Sequence, residues 1–190
     1  TAAVDYLKEE HGKPFFLSVG FLEPHRKGFS PTFICTEDTE EPDDIERRAR
    51  YCQPFPHLPD NAVSRREMAN FKMGVEYLDR DVGKVLAAID EAGLRRNTLV
   101  IFTSDNGPWM NYGNHAGSTG PLREGKGTSW EGGVRVPCIM HWPDQISPGS
   151  VCHKIASTLD ILPTLAEITG ARLPENKIDG VSIHPLIQGI

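Results

Sequence analysis

The sequence predicts an α/β fold in which a mostly parallel sheet is flanked by helices. Residues 99–103 form a run that can be buried on both faces, as in a central strand of such a sheet. Residues 64–92 repeat apolar side chains at intervals of three and four, which is typical of an amphipathic helix. A strand, a helical excursion and a second strand form a crossover unit, and such units join parallel strands.

The first 63 residues are predicted to hold one helix end, one strand and one long loop. Residues 1–11 predict the end of a helix, and Gly12 predicts its stop. Residues 14–21 predict a short buried strand whose carboxyl end leads to His25. Residues 26–63 are rich in proline and charge and have no periodicity, so we expect a long irregular loop there.

The helix over residues 64–92 has predicted signals at both ends. Ser64 and Glu67 match a capping box, in which each side chain satisfies a backbone N–H of the first turn. An apolar stripe runs from Met68 to Ile89 and is expected to face the core. Gly93 is predicted to end the helix in a left-handed conformation.

Three further segments follow the strand at 99–103. Residues 111–133 are rich in glycine and are predicted to form a loop. Residues 134–142 predict another strand, with Pro137 at its start or at a sheet edge. A final helix is predicted to begin at 157–160, with Gly170 at its end.

Composition and charge exclude several classes of function. The net charge of −6 and the pI of about 5.6 argue against a nucleic-acid surface. No apolar run approaches the roughly 18 residues that a membrane span needs. No signal-peptide pattern is present, and because the chain opens at Thr1 we expect it to start within a longer protein.

The four cysteines do not form a metal-binding pattern. None lies in a C-x-x-C motif, so a zinc site is disfavoured. Cys138 lies in an apolar run and is predicted to be a buried thiol. A disulfide between Cys35 and Cys52 stays open on the sequence.

The turn after residues 99–103 carries candidate metal ligands. Asp105 offers a carboxylate and Asn106 an amide oxygen, and neighbouring hard oxygens suit Ca²⁺ or Mg²⁺ better than Zn²⁺. Open α/β sheets place their ligands at the carboxyl ends of strands. Asn106-Gly107 is also a common hairpin turn, so residue types alone leave the two interpretations evenly balanced.

Two other polar groups lie on loops that are predicted to leave the same sheet edge. His25 follows the first strand, and Lys126 lies between Gly125 and Gly127 in the glycine-rich loop. Flanking glycines let the backbone approach a ligand closely. A cation, a histidine and a lysine in one cleft would suit an anionic substrate, although single lysines are usually just solvated.

Segments of this chain resemble the motifs of one enzyme family. They are P-F-F-L at 14–17 with P-H at 24–25, T-S-D-N-G at 103–107, and G-K-G-T-S-W-E-G-G-V-R-V-P at 125–137. In this order they are similar to the formylglycine-dependent sulfatases of the alkaline-phosphatase superfamily. The resemblance implies a partial alkaline-phosphatase-like sandwich, with residues 1–190 forming one incomplete sulfatase catalytic domain.

The resemblance also implies roles for individual residues. Asp105 and Asn106 match two ligands of the family's Ca²⁺, with Mg²⁺ as the alternative. Lys126 matches the lysine that holds the sulfate and offsets charge at the scissile oxygen. His25 matches a histidine that contacts sulfate and protonates the leaving group. His115 lies in the loop that varies with substrate and is a candidate substrate contact.

Three other residues near these motifs are assigned structural roles. We expect Glu131 and Arg135, which lie within the third motif, to form a buried ion pair that orients the loop. We expect Asp160 to cap a helix rather than to bind metal.

The family's nucleophile is a formylglycine made from Cys or Ser in the motif C/S-x-P-x-R, and this motif is absent here. The nearest approach is C-Q-P-F-P at 52–56, where Pro56 replaces the required arginine. We therefore expect Cys52 to be a loop cysteine and the nucleophile to come from a missing N-terminal part. The 190 residues alone are predicted to bind metal weakly, to be inactive, and to expose apolar surface.

Two alternatives to a sulfatase stay open on the sequence. One is a phosphodiesterase or phosphonate hydrolase of the same superfamily, because phosphate and sulfate esters share tetrahedral anionic chemistry. The other is a domain that binds a sulfated glycan without turnover. The expected partner is a sulfated small molecule or glycan, and the resemblance suggests a periplasmic, extracellular or lysosomal location.

Overall fold

The computed structural model describes residues 2–26, 42–110 and 117–189. These residues fall into two compact units. The first comprises residues 1–92 and 104–137, and the second comprises residues 93–103 and 138–190. Among the described residues, no helix is both long and apolar enough to cross a membrane.

The first unit is helical. Its helices are α1 (Ala2–Leu7), α2 (Pro42–Ala49), α3 (Ala62–Glu91) and the single turn α4 (Glu131–Val134). Helix α1 ends at Leu7, earlier than the Gly12 stop that the sequence predicts. Beyond it, the rings of Tyr6, His11 and Phe15 pack against one another, with Tyr6 and Phe15 edge to face at 5.3 Å. The residues after α1 thus form an aromatic cluster instead of further helical turns.

Helix α3 begins two residues before the predicted capping box. Asn61 is the N-cap, because its extended backbone lets its side chain accept a 2.9 Å hydrogen bond from the backbone N–H of Ser64. Ser64 itself is fully buried and Glu67 pairs with Arg26, so the predicted Ser64–Glu67 box is wrong. Gly93, with φ of +70°, follows the helix as predicted.

The small core of the first unit lies between α2 and α3. It contains Ala49, Cys52, Met68 and Ala69, with Phe55 and Phe71 packed against it. The predicted loop over 26–63 therefore contains a helix, which packs on α3 and adds an ion pair of 2.9 Å between Arg48 and Glu76. The predicted apolar stripe is buried at Met68 and Ile89 but exposed at its centre, where Val75 is 40% accessible.

The sheet described in this chain is antiparallel. Strand β1 (Val100–Thr103) pairs with β2 (Cys138–His141), with Val100 opposite His141 and Thr103 opposite Cys138. The prediction of a mostly parallel sheet is wrong for these strands, because β2 runs beside β1 in the opposite direction. Residues 14–21, predicted as a strand, are assigned to no strand.

Strand β2 is shorter and more exposed than the sequence predicts. Val134, the first residue of the predicted strand, belongs to α4 instead, and β2 starts directly after Pro137, which has no N–H to donate to a sheet. Cys138 is an exposed free cysteine, so the prediction of a buried thiol is wrong. Ile139 is 62% accessible.

The carboxyl-terminal helices of the second unit are α5 (Ile161–Thr169) and α6 (His184–Ile187). The predicted helix start is confirmed as a capping box, in which the Asp160 carboxylate accepts a 2.7 Å hydrogen bond from the Ser157 backbone N–H. The same carboxylate accepts 2.9 Å from the N–H of Val181, and Gly170 ends α5 with φ of +70°. Asp160 is therefore a cap, as expected.

Candidate active site

The Asp105-Asn106 turn follows β1 in the chain and is tied to the loop that carries Lys126. The backbone N–H of Gly107 donates a 2.9 Å hydrogen bond to the carbonyl of Gly133. The N–H of Lys126 donates a 2.9 Å bond to the carbonyl of Pro108. A tight hairpin at Asn106-Gly107 is excluded, because the partner strand starts only at Cys138.

Glycines make this contact between the two segments close. A Cβ on Gly107 would overlap the carbonyl oxygen of Gly132, and a Cβ on Gly132 would overlap that of Glu124. A Cβ on Gly125 would come within 2.5 Å of the Pro108 carbonyl oxygen. The sequence interpretation gave Gly125 a role in approaching a ligand, whereas here its missing side chain lets two protein segments touch.

The functional groups of Asp105 and Lys126 are left available. Asp105 is exposed and Lys126 is half-buried. Within the described ranges, neither the Asp105 carboxylate nor the Lys126 ammonium has a hydrogen-bond or ion-pair partner. The Asp105 carboxylate and the Lys126 ammonium thus lie on two loop segments that pack against each other, and within the described ranges neither charge is paired.

The donor chemistry at the turn fits a hard divalent cation, but the number of ligands does not complete its shell. Asp105 and Asn106 offer two side-chain oxygen donors, whereas Ca²⁺ takes six to eight ligands. Among the residues that the structure describes, no group of three or more His, Cys, Asp and Glu side chains could hold a metal. A cation at this turn needs further oxygen ligands from elsewhere.

The segment that carries His25 is tied to helix α3 through the next residue, Arg26. His25 follows a cis Glu23–Pro24 bond, and its backbone N–H donates 2.8 Å to the carbonyl of Leu22. Its Nδ1 lies 2.7 Å from the carbonyl oxygen of Arg26, an acceptor, so Nδ1 carries the proton and Nε2 is left for a ligand. The Arg26 guanidinium forms a 2.7 Å ion pair with Glu67, and both side chains are about nine-tenths buried.

The structure brings together only some of the predicted site residues. Asp105, Asn106 and Lys126 lie on two loop segments, 105–110 and 123–133, which are joined by backbone hydrogen bonds. Within the described part of the chain, no hydrogen bond or ion pair joins His25 to these segments, so their convergence stays a prediction. His115 lies outside the described residues.

Glu131 and Arg135 form the predicted ion pair, with 2.6 Å between Oε2 and Nε. Their side chains are 55% and 62% exposed, so the expectation that the pair is buried is wrong. The pair spans α4, whose first residue is Glu131. An exposed pair of this spacing supports the helical turn only weakly.

Sequence reasoning missed a cation–π pair on the same loop. The Arg123 Cζ lies 3.8 Å from the centroid of the Trp130 ring. Between these residues Glu124 and Gly127 have positive φ angles of 60° and 87°. The sequence offered one signal for this contact. Arg123 and Trp130 lie seven residues apart, on either side of the glycines of the loop.

Cys52 is a buried, free cysteine that lies in the core between α2 and α3. A thiol in this apolar position is shielded from substrate, which agrees with its exclusion as nucleophile. Cys35, the other half of the disulfide left open above, lies outside the described residues.

An acidic turn packed against a lysine-bearing, glycine-rich loop is the kind of site that binds an anion with the help of a metal. The family model described as Sulfatase matches residues 1–171, and this chain belongs to the sulfatase family.

Individual relatives agree with this assignment. Steryl-sulfatase of Mus musculus is 36% identical over 97% of this chain and 26% of that protein. Arylsulfatase A of Homo sapiens is 51% identical over 73% of this chain and 28% of that protein. The crystal structure of Ps i-CgsB in complex with k-i-k-neocarrahexaose aligns with a TM-score of 0.68 and 30% identity. The alignment covers 97% of this chain and 36% of that one.

This chain therefore spans about a quarter of the length of the two relatives and about a third of the solved chain. The similarity to Ps i-CgsB indicates the alkaline-phosphatase-like fold of sulfatases.

Proposed function

We propose that this chain is part of the catalytic domain of a sulfatase that hydrolyses sulfate esters with a divalent metal ion. Residues 1–190 would form one incomplete catalytic domain of the alkaline-phosphatase-like fold, a partial sandwich. The relatives named as sulfatases support this proposal over phosphate or phosphonate chemistry.

The packing of the 105–110 segment against the 123–133 segment carries the proposal. Hydrogen bonds from Gly107 to Gly133 and from Lys126 to Pro108 hold together the two segments that carry a carboxylate and an ammonium. Electrostatic catalysis needs such preorganised groups, because their geometry is already set when charge develops in the transition state.

Each site residue has a role in this proposal. Asp105 and Asn106 would hold Ca²⁺ or Mg²⁺ together with carboxylates from a segment outside this chain. The metal, when bound, would polarise a sulfate oxygen. Lys126 would bind the sulfate and stabilise negative charge on the ester oxygen as the S–O bond breaks. His25, when both of its ring nitrogens carry a proton, would give that oxygen the proton on Nε2 and keep the one on Nδ1. His115 would contact the rest of the substrate.

The nucleophile would be a formylglycine, supplied by a C/S-x-P-x-R segment that this chain does not contain. The 190 residues by themselves are therefore expected to be inactive. The substrate class we propose is a sulfated small molecule or glycan, in keeping with relatives named for steryl and aryl sulfates.

The proposal is tested with the full-length protein and 4-nitrophenyl sulfate, with Ca²⁺ or Mg²⁺ added. We expect sulfate release by the parent and a loss of about 10²-fold or more in kcat for Lys126→Ala. Lys72→Ala, which changes an exposed lysine on α3, is the matched control and should behave like the parent.

Two results would overturn the proposal. One is a parent protein that releases no sulfate from any of a panel of aryl and glycan sulfates, including the case in which it binds them without turnover. The other is a Lys126→Ala variant with the kcat of the parent.

A further inference from the structure

Arg123 and Trp130 face each other across the base of the Lys126 loop. The guanidinium carbon lies 3.8 Å above the centre of the indole ring, a stacking distance. Among the described residues the ring is the partner of this guanidinium, and no carboxylate pairs with it. Trp130 is 49% accessible, so the pair lies at the surface instead of in the core.

The loop closed by this pair has a backbone that needs support. Glu124 has a φ of +60°, which is unfavourable for a residue with a side chain, and Gly127 has a φ of +87°. Lys126 lies between these two positions. Such conformations persist only where surrounding contacts hold them, and they tend to occur at functional sites.

The backbone contacts place the pair next to the point where the two limbs of the loop meet. The N–H of Gly132 donates a 2.8 Å hydrogen bond to the Arg123 carbonyl, and the N–H of Gly133 donates 2.8 Å to the Trp130 carbonyl. The Gly132–Arg123 bond joins the two limbs, as the side-chain stack does, whereas the Gly133–Trp130 bond lies within one limb. Loss of the stack would remove the side-chain link between the limbs and leave the backbone link at their base.

We propose that Arg123 and Trp130 are positioning residues that hold the Lys126 ammonium in place for sulfate transfer. This rests on the function proposed above for Lys126. Arg123 acts through the loop and does not itself contact the substrate. A displacement of about 1 Å at a reacting group is enough to lower a rate substantially, so a surface stack can matter here.

The test compares Arg123→Met with Arg123→Lys in the full-length protein. Methionine keeps the length of the side chain but removes the cation, so kcat should fall about tenfold while KM stays within about twofold. Lysine restores a cation above the ring and should recover most of the lost kcat. Trp130→Phe, which keeps a ring with weaker cation binding, should give an intermediate kcat.

The matched control is Arg80→Met. The Cζ atom of Arg80 lies 4.8 Å from the centroid of the Tyr77 ring on α3. The substitution therefore removes a cation–π contact of the same kind at a site away from the loop. This variant should keep the kcat of the parent. The Trp130 fluorescence should change in Arg123→Met and stay unchanged in Arg80→Met, since only the first alters the environment of the indole.

Three results would overturn the inference. A raised KM with unchanged kcat in Arg123→Met would mean that Arg123 binds substrate directly. Parental kcat in both Arg123→Met and Trp130→Phe would mean that the stack does not position Lys126. An equal fall in Arg80→Met would mean a general effect of losing such contacts. A parental kcat in Lys126→Ala would instead refute the proposed function itself, so the two failures are distinguishable.

Discussion

The backbone N–H of Lys126 donates a 2.9 Å hydrogen bond to the carbonyl of Pro108, three residues after Asp105. This bond couples the loop that carries the candidate sulfate-binding lysine to the turn that carries the candidate metal ligands. A change in either segment is therefore transmitted to the other. The spacing between the two charged groups is set by backbone contacts, and these require glycine at several positions.

The first prediction concerns that glycine packing. Gly132→Ala would place a Cβ against the backbone carbonyl of Glu124, which cannot rotate away. We expect the full-length protein to lose about 1–3 kcal/mol of unfolding free energy, together with activity, as measured by denaturant titration and sulfate release. Gly12→Ala is the control, because no atom lies within 4 Å of a Cβ built there. Equal stability of the two variants would contradict the packing argument.

The second prediction concerns the metal. Asp105→Asn removes the carboxylate charge but keeps an oxygen, so affinity for Ca²⁺ or Mg²⁺ should fall about tenfold or more, and kcat should fall with it. Calorimetric titration of the metal-free full-length protein measures the affinity. Asp79→Asn, on an exposed position of α3, should bind metal as the parent does. Unchanged metal affinity in Asp105→Asn would remove this residue from the ligand set.

The third prediction concerns Asp160. Its buried carboxylate accepts hydrogen bonds from the backbone N–H groups of Ser157 and Val181. Asp160→Ala leaves both donors without this acceptor, and we expect a loss of about 2–3 kcal/mol of unfolding free energy. Asp179→Ala changes an exposed aspartate nearby in the sequence and should cost little. Thermal and denaturant unfolding of the two variants measures both losses of unfolding free energy. Equal losses would contradict the capping role of Asp160.

The fourth prediction concerns pH. The hydroxyl of Ser182, and secondly the ring of His184, hold the pKa of Glu167 below its ordinary value of 4.5. A carboxylate with a depressed pKa stabilises the folded state above that ordinary value, and the contribution is lost as the pH falls through the folded-state value. Glu167→Gln should therefore lower the Tm at pH 7.

This difference in Tm between parent and variant should begin to shrink as the pH falls below 4.5, the ordinary pKa, and should approach zero once the pH lies below the lowered folded-state pKa of Glu167. Glu175→Gln, at an exposed glutamate, should show no such pH-dependent difference. A Tm difference for Glu167→Gln that is constant between neutral and acid pH would mean that the charge of Glu167 does not contribute to stability.

Local patterns predicted those elements whose stabilising groups are close in sequence. The helix start at 157–160, the stop at Gly170 and the long amphipathic helix before residue 99 all depend on neighbours within a few turns. The N-cap of α3 was misplaced by three residues because Asn61, Ser64 and Glu67 all carry capping side chains. Burial of Ser64 and the pairing of Glu67 with Arg26 decided between them.

The sequence by itself predicted the motifs on which the proposed chemistry rests: the Asp105-Asn106 turn as a candidate metal site, the lysine between two glycines, and no C/S-x-P-x-R motif within these 190 residues. These depend on residue types and spacing along the chain. Only the tertiary structure decided the antiparallel pairing of β1 with β2, the exposure of Glu131 and Arg135, and the stacking of Arg123 on Trp130. Each depends on which distant segment the chain meets when it folds, and backbone hydrogen bonding between segments carries no signature in a single sequence.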